Sequence, residues 1–239
     1  MTDPLKDKLA IVTGATRGIG KAIALRLLAD GAQVIAAGSS PEGVAPDGCE
    51  YVHADLAAPA AASAFAKLIG DRGPDILVNN AGINKISPFE DIDPDDFAKI
   101  QQVNVTAPFL LCRAVIPAMK QRGWGRIVNI SSIFGKISKE FRASYSTSKF
   151  AIDGMTVSLS AEVAEHGILA NSVAPGFIAT DLTREVLGEK GMAELAAHVP
   201  ARRVGQPEEV AALVAWLAGP ENTYISGQNI AIDGGFTIV

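Results

Sequence analysis

The chain has 239 residues, of which 48% are hydrophobic and 20% charged, which is typical of a soluble globular protein. Its formal net charge of −5 offers no general attraction for nucleic acid or for an anionic membrane. Cys49 and Cys112 lie too far apart in sequence to suggest a disulfide framework or a zinc site. The first residues lack the layout of a signal peptide, and no apolar run is long enough to predict a membrane span. We therefore expect a cytoplasmic protein with no nucleic-acid or membrane partner.

Short apolar runs alternate with amphipathic stretches through most of the chain. Six runs are predicted strands: 9–13, 33–37, 51–54, 75–79, 126–130 and 168–173. Their near-continuous hydrophobicity indicates burial on both faces, as in a parallel sheet. Four longer segments are predicted helices: 18–30, 57–70, 94–122 and 143–166. This alternation predicts a single-domain α/β fold over residues 1–239 with a doubly wound sheet.

Two intervals interrupt the alternation. Residues 38–50 contain two prolines and three glycines, so the crossover helix that a βαβ unit normally has there is predicted to be a loop. Residues 183–204 are broken by glycine and proline and carry mixed charge. They fit either a mobile substrate lid, at about 181–204, or an ordinary surface helix.

A turn punctuated by glycines follows the first predicted strand directly. Gly14, Gly18 and Gly20 lie in "TGATRGIG", and an amphipathic helix begins at once. A pyrophosphate must sit against backbone N–H groups at a helix N-terminus, where side chains would hold it away. The pattern therefore predicts a dinucleotide site, with a tight turn that binds no ligand as the alternative.

The residues after the second strand favour NADP(H) over NAD(H). An acid at this place binds the adenosine ribose diol of NAD, but this chain has Gly38, Ser39 and Ser40. A carboxylate would repel a 2′-phosphate, whereas hydroxyl groups accept one. Arg17 is a cation within reach of the same place, although it also fits a solvated surface residue.

Seven short motifs follow one another in order: "TGATRGIG" (13–20), "NNAG" (79–82), Asn104 in "VNVT", "NISS" (129–132), "YSTSK" (145–149), "PGFIAT" (175–180) and "SGQNIAIDGG" (226–235). With them the chain resembles the classical short-chain dehydrogenase/reductase family over nearly its whole length. The resemblance implies one Rossmann-type domain with a seven-stranded parallel sheet flanked by helices. It also implies an oxidoreductase that interconverts a ketone and a secondary alcohol.

The same resemblance assigns the cofactor contacts. Those implied for the phosphates and adenosine are Gly14, Thr16, Arg17, Gly18, Ile19, Gly20, Ser39, Asp55, Leu56, Asn80, Ala81 and Gly82. Those implied for the nicotinamide end are Tyr145, Lys149, Pro175, Gly176, Ile178 and Thr180. Asp55 also fits a plain helix N-cap.

The implied catalytic residues are Asn104, Ser132, Tyr145 and Lys149. Ser132 is preferred to its neighbour Ser131 because it begins an S-x-x-G and lies thirteen residues before Tyr145. In a helix, Tyr145 and Lys149 share one face. A free phenol with a pKa near 10 is a poor base, but a nearby ammonium and the positive nicotinamide favour the phenolate. Tyr145 would then exchange the proton while Ser132 holds the substrate oxygen and Asn104 supports a water next to Lys149.

The substrate is left open by the sequence. The pattern is most similar to 3-oxoacyl-[acyl-carrier-protein] reductases, which have arginines at the pocket mouth. This chain has Gly123 and His166 there, although Arg122 and Arg126 flank the first position. Residues 133–144 carry three cations and one acid, which suits a sugar or another hydroxylated ketone, or solvent.

Other expectations concern metals, partners and activity. His53, His166 and His198 have no ligand spacing, so no metal site is expected. Relatives with the same closing segment are usually tetramers, and we expect a homo-oligomer, either tetramer or dimer. A non-catalytic dinucleotide sensor on the same fold is the remaining alternative.

Overall fold

The computed structural model describes residues 3–238, except for the side chains of residues 182, 186 and 187. Its strands are β1 (Leu9–Thr13), β2 (Gln33–Gly38), β3 (Glu50–His53), β4 (Ile76–Asn79), β5 (Gly125–Ile130), β6 (Ile168–Pro175) and β7 (Asn229–Ile232). All pairings are parallel, and the strand order is β3-β2-β1-β4-β5-β6-β7. The predicted Rossmann-type, doubly wound, seven-stranded sheet is confirmed. The order reverses between β1 and β4, where folds of this class bind ligands at the carboxyl ends of the strands.

Helices cover both faces of the sheet. They are α1 (Gly18–Ala29), α2 (Pro59–Arg72), α3 (Pro94–Gln101), α4 (Ala107–Arg122), α5 (Ala143–Val163), α6 (Asp181–His198) and α7 (Pro207–Ala218). One apolar cluster joins α1 and α7 to one face, and a second joins α2, α4 and the end of α5 to the other. Strands with apolar residues on both sides are therefore buried between two helical layers, as the sequence pattern predicts.

The helices differ from the sequence prediction in two places. The segment predicted as one helix over 94–122 is divided by a π-helical stretch, Gln102–Thr106. The helix α7 was not predicted, although Pro207 in its first turn and a capping box between Gln206 and Glu209 mark its start. Residues 39–49 form no helix, which confirms the predicted loop in place of a crossover helix.

The interval proposed as a lid contains the helix α6, which begins at the N-cap Thr180. Gly188 adopts φ 61° and ψ −177°, which interrupts the helical path in its first half. A glycine tolerates this left-handed conformation, whereas other residues are strained there. The break divides the helix into two parts at the edge of the cleft, and mobility of the lid stays a prediction.

By length and composition alone, the helical stretch Pro94–Arg122 could cross a membrane, with a mean hydropathy of 1.2 in its most apolar window. The apolar runs of the sequence did not predict this. In the fold, 44% of that window is buried, and its apolar residues pack against the sheet and α2. The stretch thus has the burial of a core helix.

Candidate active site

A cleft of about 710 Å³ opens at the carboxyl ends of β1, β2 and β4. The predicted cofactor residues that line it are Gly14, Thr16, Arg17, Gly18, Ile19, Gly20, Ser39, Asp55, Leu56, Asn80, Ala81, Gly82 and Thr180. Residues from five separate parts of the sequence thus meet at the switch point of the sheet. The cleft has the size and the backbone-rich floor that a dinucleotide requires.

The glycine turn between β1 and α1 is packed too closely for side chains. A Cβ on Gly20 would lie 2.2 Å from the Gly14 carbonyl oxygen, and Gly14 itself has φ +63°. Arg17 is the N-cap residue of α1 and supplies no side-chain hydrogen bond to the helix. The first N–H groups of α1 are therefore directed to the cleft without a side-chain cap, as anion binding at a helix N-terminus requires.

The end of β4 is hydrogen-bonded to the glycine turn. Thr13 Oγ1 accepts from the N–H groups of Asn80 and Ala81, each at 3.0 Å. The Asn80 amide donates to the carbonyl oxygens of Thr13 at 2.9 Å and Gly14 at 3.1 Å. These four bonds fix the two strand ends that form the floor of the cleft. Thr13, which also lines the cleft, was not among the predicted residues.

Two aromatic residues at β3 hold the loop that carries Ser39. The Tyr51 hydroxyl donates to the Ser40 carbonyl oxygen, and His53 Nε2 lies 3.2 Å from the Ser39 carbonyl oxygen. Ser39, Ser40 and the exposed Arg17 line the same end of the cleft. The cleft thus has two serine hydroxyl groups and one guanidinium among its lining residues, and its lining acids, Asp55 and Asp181, come from after β3 and from α6.

Asp55 follows β3, and its carboxylate accepts from the Ala57 N–H at 3.1 Å. The helix α2 begins later, with Ala58 as its N-cap, so Asp55 is not the helix cap that the sequence left open. Instead it closes a local turn and lines the cleft beside the buried Leu56.

Tyr145 and Lys149 lie one turn apart on α5, as their spacing predicts. Lys149 Nζ is 5.4 Å from the centroid of the Tyr145 ring and donates to the Ile130 carbonyl oxygen at 2.8 Å. Lys149 is buried, and a Cβ on Gly82 would lie 3.6 Å from its Nζ. Neither Tyr145 nor Lys149 is among the residues that line the cleft, and the lysine lies behind the cleft wall at Gly82. Their contact with a cofactor stays a prediction.

Ser132 ends the loop after β5 and is buried. Its Oγ accepts from the Phe134 N–H at 3.2 Å and so caps the short 3₁₀ turn Ile133–Gly135. The neighbouring Ser131 turns the other way, toward α5, where its Oγ donates to Asp153 Oδ2 at 2.8 Å. The preference for Ser132 over Ser131 as the serine that meets substrate fits these orientations and stays a prediction.

Asn104 lies in the π-helical stretch between α3 and α4 and is buried. Its amide donates to the Ile83 carbonyl oxygen and to Ser148 Oγ, while Oδ1 accepts from the Ile83 N–H, all at 2.9 Å. Ser148 in turn donates to the Tyr145 carbonyl oxygen at 2.7 Å. Both amide N–H donors are used, which leaves one lone pair on Oδ1 for a water.

The segment predicted for the nicotinamide divides into two groups. Thr180 lines the cleft, but its hydroxyl accepts from the Thr183 N–H at 3.2 Å and caps α6. Pro175, Gly176 and Ile178 do not line the cleft. They lie at and beyond the end of β6, where the Gly176 N–H donates to the Ile232 carbonyl oxygen of β7 at 3.0 Å. Their role in binding stays a prediction.

The arginines that flank Gly123 are engaged within the fold. Arg126 is buried and donates to three carbonyl oxygens, and burial lowers its pKa to about 10. Arg122 donates to the carbonyl oxygens of residues 73 and 74 and pairs with Asp75 at 3.3 Å. The Arg126 guanidinium is thus buried, whereas the Arg122 guanidinium is exposed and bound to residues 73–75.

Residues 133–144 present their charges in two ways. Lys136, Lys139 and Glu140 are exposed. The guanidinium of the half-buried Arg142 lies 5.4 Å from the centroid of the Phe134 ring, which itself packs edge to face with Tyr145 at 6.4 Å. One cation therefore lies close to the predicted proton donor, whereas three charges are directed to solvent.

Several cleft residues carried no recognisable sequence signal. Lys99 and Val103, from α3 and the π-helical stretch, reach the cleft only because the chain crosses above β4. Asp181 lines it as the first residue of α6. Among residues 3–238, no group of three or more His, Cys, Asp or Glu side chains could hold a metal ion.

Comparison with known proteins gives a consistent family. The family model described as enoyl-(acyl carrier protein) reductase matches residues 14–237. The 3-oxoacyl-[acyl-carrier-protein] reductase of Vibrio cholerae is 39% identical over 98% of this chain and 99% of its own. Aldohexose dehydrogenase of Thermoplasma acidophilum superposes with a TM-score of 0.92 at 33% identity, over 100% of this chain and 97% of its own. A gluconate 5-dehydrogenase of Burkholderia cenocepacia, solved with NADP and tartrate, superposes with a TM-score of 0.89 at 31% identity, over 98% of this chain and 97% of its own.

These relatives agree on the chemistry and differ in substrate. They cover the chain almost completely, and their names describe ketone reduction or alcohol oxidation. The ordered motifs lie within the matched residues, except for Thr13, which begins the first motif and ends β1. The chain is therefore an oxidoreductase that acts on CH–OH or ketone groups, and it belongs to the short-chain dehydrogenase/reductase family.

Proposed function

We propose that this protein is an NADP(H)-dependent oxidoreductase that interconverts a ketone and a secondary alcohol, with 3-oxoacyl thioesters as the leading substrate class. The observation that carries the proposal is the position of two polar groups behind the cleft wall: Asn104 Oδ1 and Lys149 Nζ lie 3.5 and 3.6 Å from where a Cβ on Gly82 would be. The Tyr145 ring lies 5.4 Å from the same Lys149 Nζ. A cofactor in the cleft supplies the hydride. The chain's own residues then have to hold the substrate oxygen and supply its proton.

Each of these residues has a defined task in the proposal. Tyr145 donates a proton from its hydroxyl to the oxygen that becomes the alcohol, and accepts it in the reverse direction. Lys149, held at the Ile130 carbonyl oxygen, places a positive charge near that phenol. Ser132 donates a hydrogen bond to the substrate oxygen as charge develops there. Asn104 fixes the turn of α5 that carries Tyr145 through Ser148, and offers its remaining lone pair to a water.

The preference for NADP(H) rests on the end of the cleft beside β2. Ser39, Ser40 and Arg17 line it, and a 2′-phosphate would meet hydroxyl groups and a guanidinium there. The Burkholderia relative, solved with NADP, gives the preference independent support.

A sugar or another hydroxylated ketone is the second candidate substrate. Two observations favour it: Arg122 and Arg126 are engaged within the fold and leave the acidic carrier without these cations, and two similar structures are sugar or sugar-acid dehydrogenases. Arg142 near Tyr145 could meet the hydroxyl or carboxylate groups of such a substrate.

The test is a panel of substrates assayed with NADP(H) and with NAD(H), in the directions of reduction and of oxidation. The absorbance of the reduced nicotinamide reports turnover. The panel contains acetoacetyl-CoA, an enoyl thioester, aldohexoses and gluconate. Tyr145→Phe should keep NADPH binding and lose turnover by about 10²- to 10⁴-fold. Full activity of that variant would refute the mechanism. NADPH binding without turnover of any carbonyl compound would instead support a dinucleotide sensor.

A further inference from the structure

A buried contact between an acid and an amide joins α5 to the last strand, behind the predicted catalytic serine. Asn229 Nδ2 donates to Asp153 Oδ2 at 2.6 Å, and Ser131 Oγ donates to the same oxygen at 2.8 Å. Asp153 lies one helical turn after Lys149, and Ser131 directly precedes Ser132. The contact therefore touches both halves of the predicted catalytic set without belonging to it.

Two oxygens in this contact lack a hydrogen-bond donor. Within the part of the chain that the structure describes, Asp153 Oδ1 and Asn229 Oδ1 are buried and accept no hydrogen bond. A buried polar atom without a partner is destabilising and calls for a physical explanation. Here the two oxygens without a donor belong to the Asp153 and Asn229 side chains, which already share one hydrogen bond. One proton placed between these oxygens would satisfy both.

A protonated carboxyl group and an amide are complementary in this way. The amide N–H donates to the carbonyl oxygen of the acid, and the acid O–H donates to the carbonyl oxygen of the amide. The first of these bonds is present as Asn229 Nδ2 to Asp153 Oδ2. The second would join the two oxygens that have no donor.

We propose that Asp153 is protonated at neutral pH and donates from Oδ1 to Asn229 Oδ1, and that this acid–amide clamp positions Ser131 and the catalytic residues next to it. Oδ2 then remains an acceptor for both Asn229 and Ser131. Every polar atom of the two side chains has a partner in this arrangement. The turnover part of the inference rests on the proposed function, whereas the protonation itself does not.

The surroundings of Asp153 are compatible with a neutral carboxyl group. Burial raises the pKa of Asp153, while the Ser131 hydrogen bond, the nearby Ser172 hydroxyl and the charges of Lys149 and Lys136 oppose the rise. The Ser172 hydroxyl is hydrogen-bonded to Thr156 Oγ1 at 3.0 Å and leaves Asp153 Oδ1 without a donor. The Lys149 ammonium is bound to the Ile130 carbonyl oxygen, and Lys136 is exposed. No salt bridge reaches Asp153 among residues 3–238. The groups that face it from β6 and β7, Ser172 and Asn229, are uncharged.

The loop after β5 is packed directly on this clamp. A Cβ on Gly135 would lie 2.5 Å from Asp153 Oδ2, 2.7 Å from Ser131 Oγ and 3.0 Å from the Lys149 carbonyl oxygen. The S-x-x-G motif thus needs Gly135, because a side chain at this position would keep the loop that carries Ser132 from approaching α5 this closely. A change in the clamp would move the loop that carries Ser132 relative to Tyr145 and Lys149.

Loss of the proton should loosen the clamp. It would place a carboxylate oxygen against an amide oxygen with no hydrogen between them. Because the folded-state pKa of Asp153 is raised, the folded protein binds this proton more tightly than the unfolded chain. Its contribution to stability is full below the ordinary aspartate pKa and is lost as pH rises through the folded-state pKa.

The decisive variant is Asp153→Asn, whose amide can donate to Asn229 Oδ1 at every pH. Wild type should lose stability relative to this variant as pH rises through the folded-state pKa of Asp153. The variant should keep kcat within about twofold, whereas Asp153→Leu should lose about tenfold in kcat with little change in NADPH affinity. Asp71→Asn, which removes an exposed acid on α2, is the matched control and should resemble wild type.

Two measurements separate this inference from the proposed function. Thermal unfolding of wild type, Asp153→Asn and Asp71→Asn across pH needs no substrate. Carbon-13 NMR of aspartate-labelled wild type, with Asp153 assigned through its backbone resonances, reports the protonation of Asp153 directly and needs no variant. A carboxyl resonance showing that Asp153 is already ionised at neutral pH would overturn the proposal. So would an unchanged pH dependence of stability in Asp153→Asn.

Discussion

Lys149 Nζ lies 5.4 Å from the centroid of the Tyr145 ring, yet its hydrogen bond goes to the Ile130 carbonyl oxygen at 2.8 Å. The lysine is therefore anchored to the end of β5, and in the proposed mechanism its charge would act on the phenol through space. Anchoring of this kind fixes the distance between the lysine ammonium and the phenol before any ligand binds. A fixed distance is the condition for electrostatic stabilisation without reorganisation.

Replacing Lys149 with Met should abolish this effect while filling similar space. We expect kcat to fall by about 10²-fold or more, because the positive charge that favours the phenolate is lost. NADPH affinity, measured by fluorescence titration, should fall less than kcat. Lys149→Arg keeps the charge but should not restore activity, since the larger guanidinium would replace a buried side chain that is bound to the Ile130 carbonyl oxygen. Normal turnover of Lys149→Met would contradict the role.

Cofactor preference should respond to charge at Ser39. Ser39→Asp places a carboxylate at the end of the cleft that we assign to the 2′-phosphate. It should weaken NADPH binding by about tenfold or more and leave NADH binding unchanged or improved. Ser39→Ala, which removes the hydroxyl without adding charge, is the control and should have a smaller effect. Arg17→Ala should weaken NADPH selectively. Tighter binding of NADH than NADPH by wild type would refute the assignment.

Close packing at the glycine turn gives a steric prediction. Gly20→Ala would bring its Cβ to within 2.2 Å of the Gly14 carbonyl oxygen, so the turn must shift. We expect a loss of about 1–3 kcal/mol in the free energy of unfolding and weaker NADPH binding. Arg26→Ala on the same helix removes only a surface ion pair with Asp30 and should leave both nearly unchanged. Wild-type affinity and stability in Gly20→Ala would show that the turn accommodates a methyl group.

The fold was predictable because its signals are local and repeated. Buried parallel strands appear as short apolar runs, and the turn at Gly14 lies directly between a strand and a helix. The division of the helix at Asn104 was not predictable, since a π-helical stretch depends on packing between α3 and α4 rather than on a residue pattern.

The candidate site likewise combines contacts that local spacing predicts with contacts that it does not. Tyr145 and Lys149 are four residues apart on one helix, so their meeting follows from sequence spacing alone. Asp153 and Asn229 meet across 76 positions, and only the order of the strands brings them together. Lys99 reaches the cleft for the same reason. Contacts between distant parts of a chain depend on the topology of the fold. From a single sequence, that topology can be predicted only through the family that the sequence resembles.

Self-association should involve the outer faces of α4 and α5. Phe109 on α4 is 47% exposed, and Phe150 and Val157 on α5 are 50% and 57% exposed. Apolar residues that share a helix face in this way favour subunit packing. We expect a tetramer or dimer in sedimentation velocity, and dissociation by Phe150→Glu combined with Val157→Glu. Phe89→Glu, at an exposed phenylalanine before α3, is the control. A monomeric wild type would contradict the expectation.

Stability at acidic pH should depend on Glu209 at the start of α7. Its carboxylate accepts from both Arg203 Nη atoms at 2.7 and 2.6 Å and from the Gln206 N–H at 2.7 Å. The hydrogen bond from Arg203 is the main reason that the pKa of Glu209 falls from 4.5 to about 2. A lowered pKa means that the unfolded chain binds the proton more tightly, so the contribution is present above pH 4.5 and is lost toward pH 2.

Glu209→Gln is the variant that isolates this charge, because glutamine can still close the capping box with Gln206. We expect a small loss of stability at neutral pH, since both side chains are largely exposed and solvent screens the pair. The difference from wild type should shrink as pH falls from 4.5 to 2, where the wild-type carboxylate becomes protonated. Urea unfolding at several pH values measures this difference directly. A difference that stays constant across the range would show that the charge of Glu209 does not stabilise the start of α7.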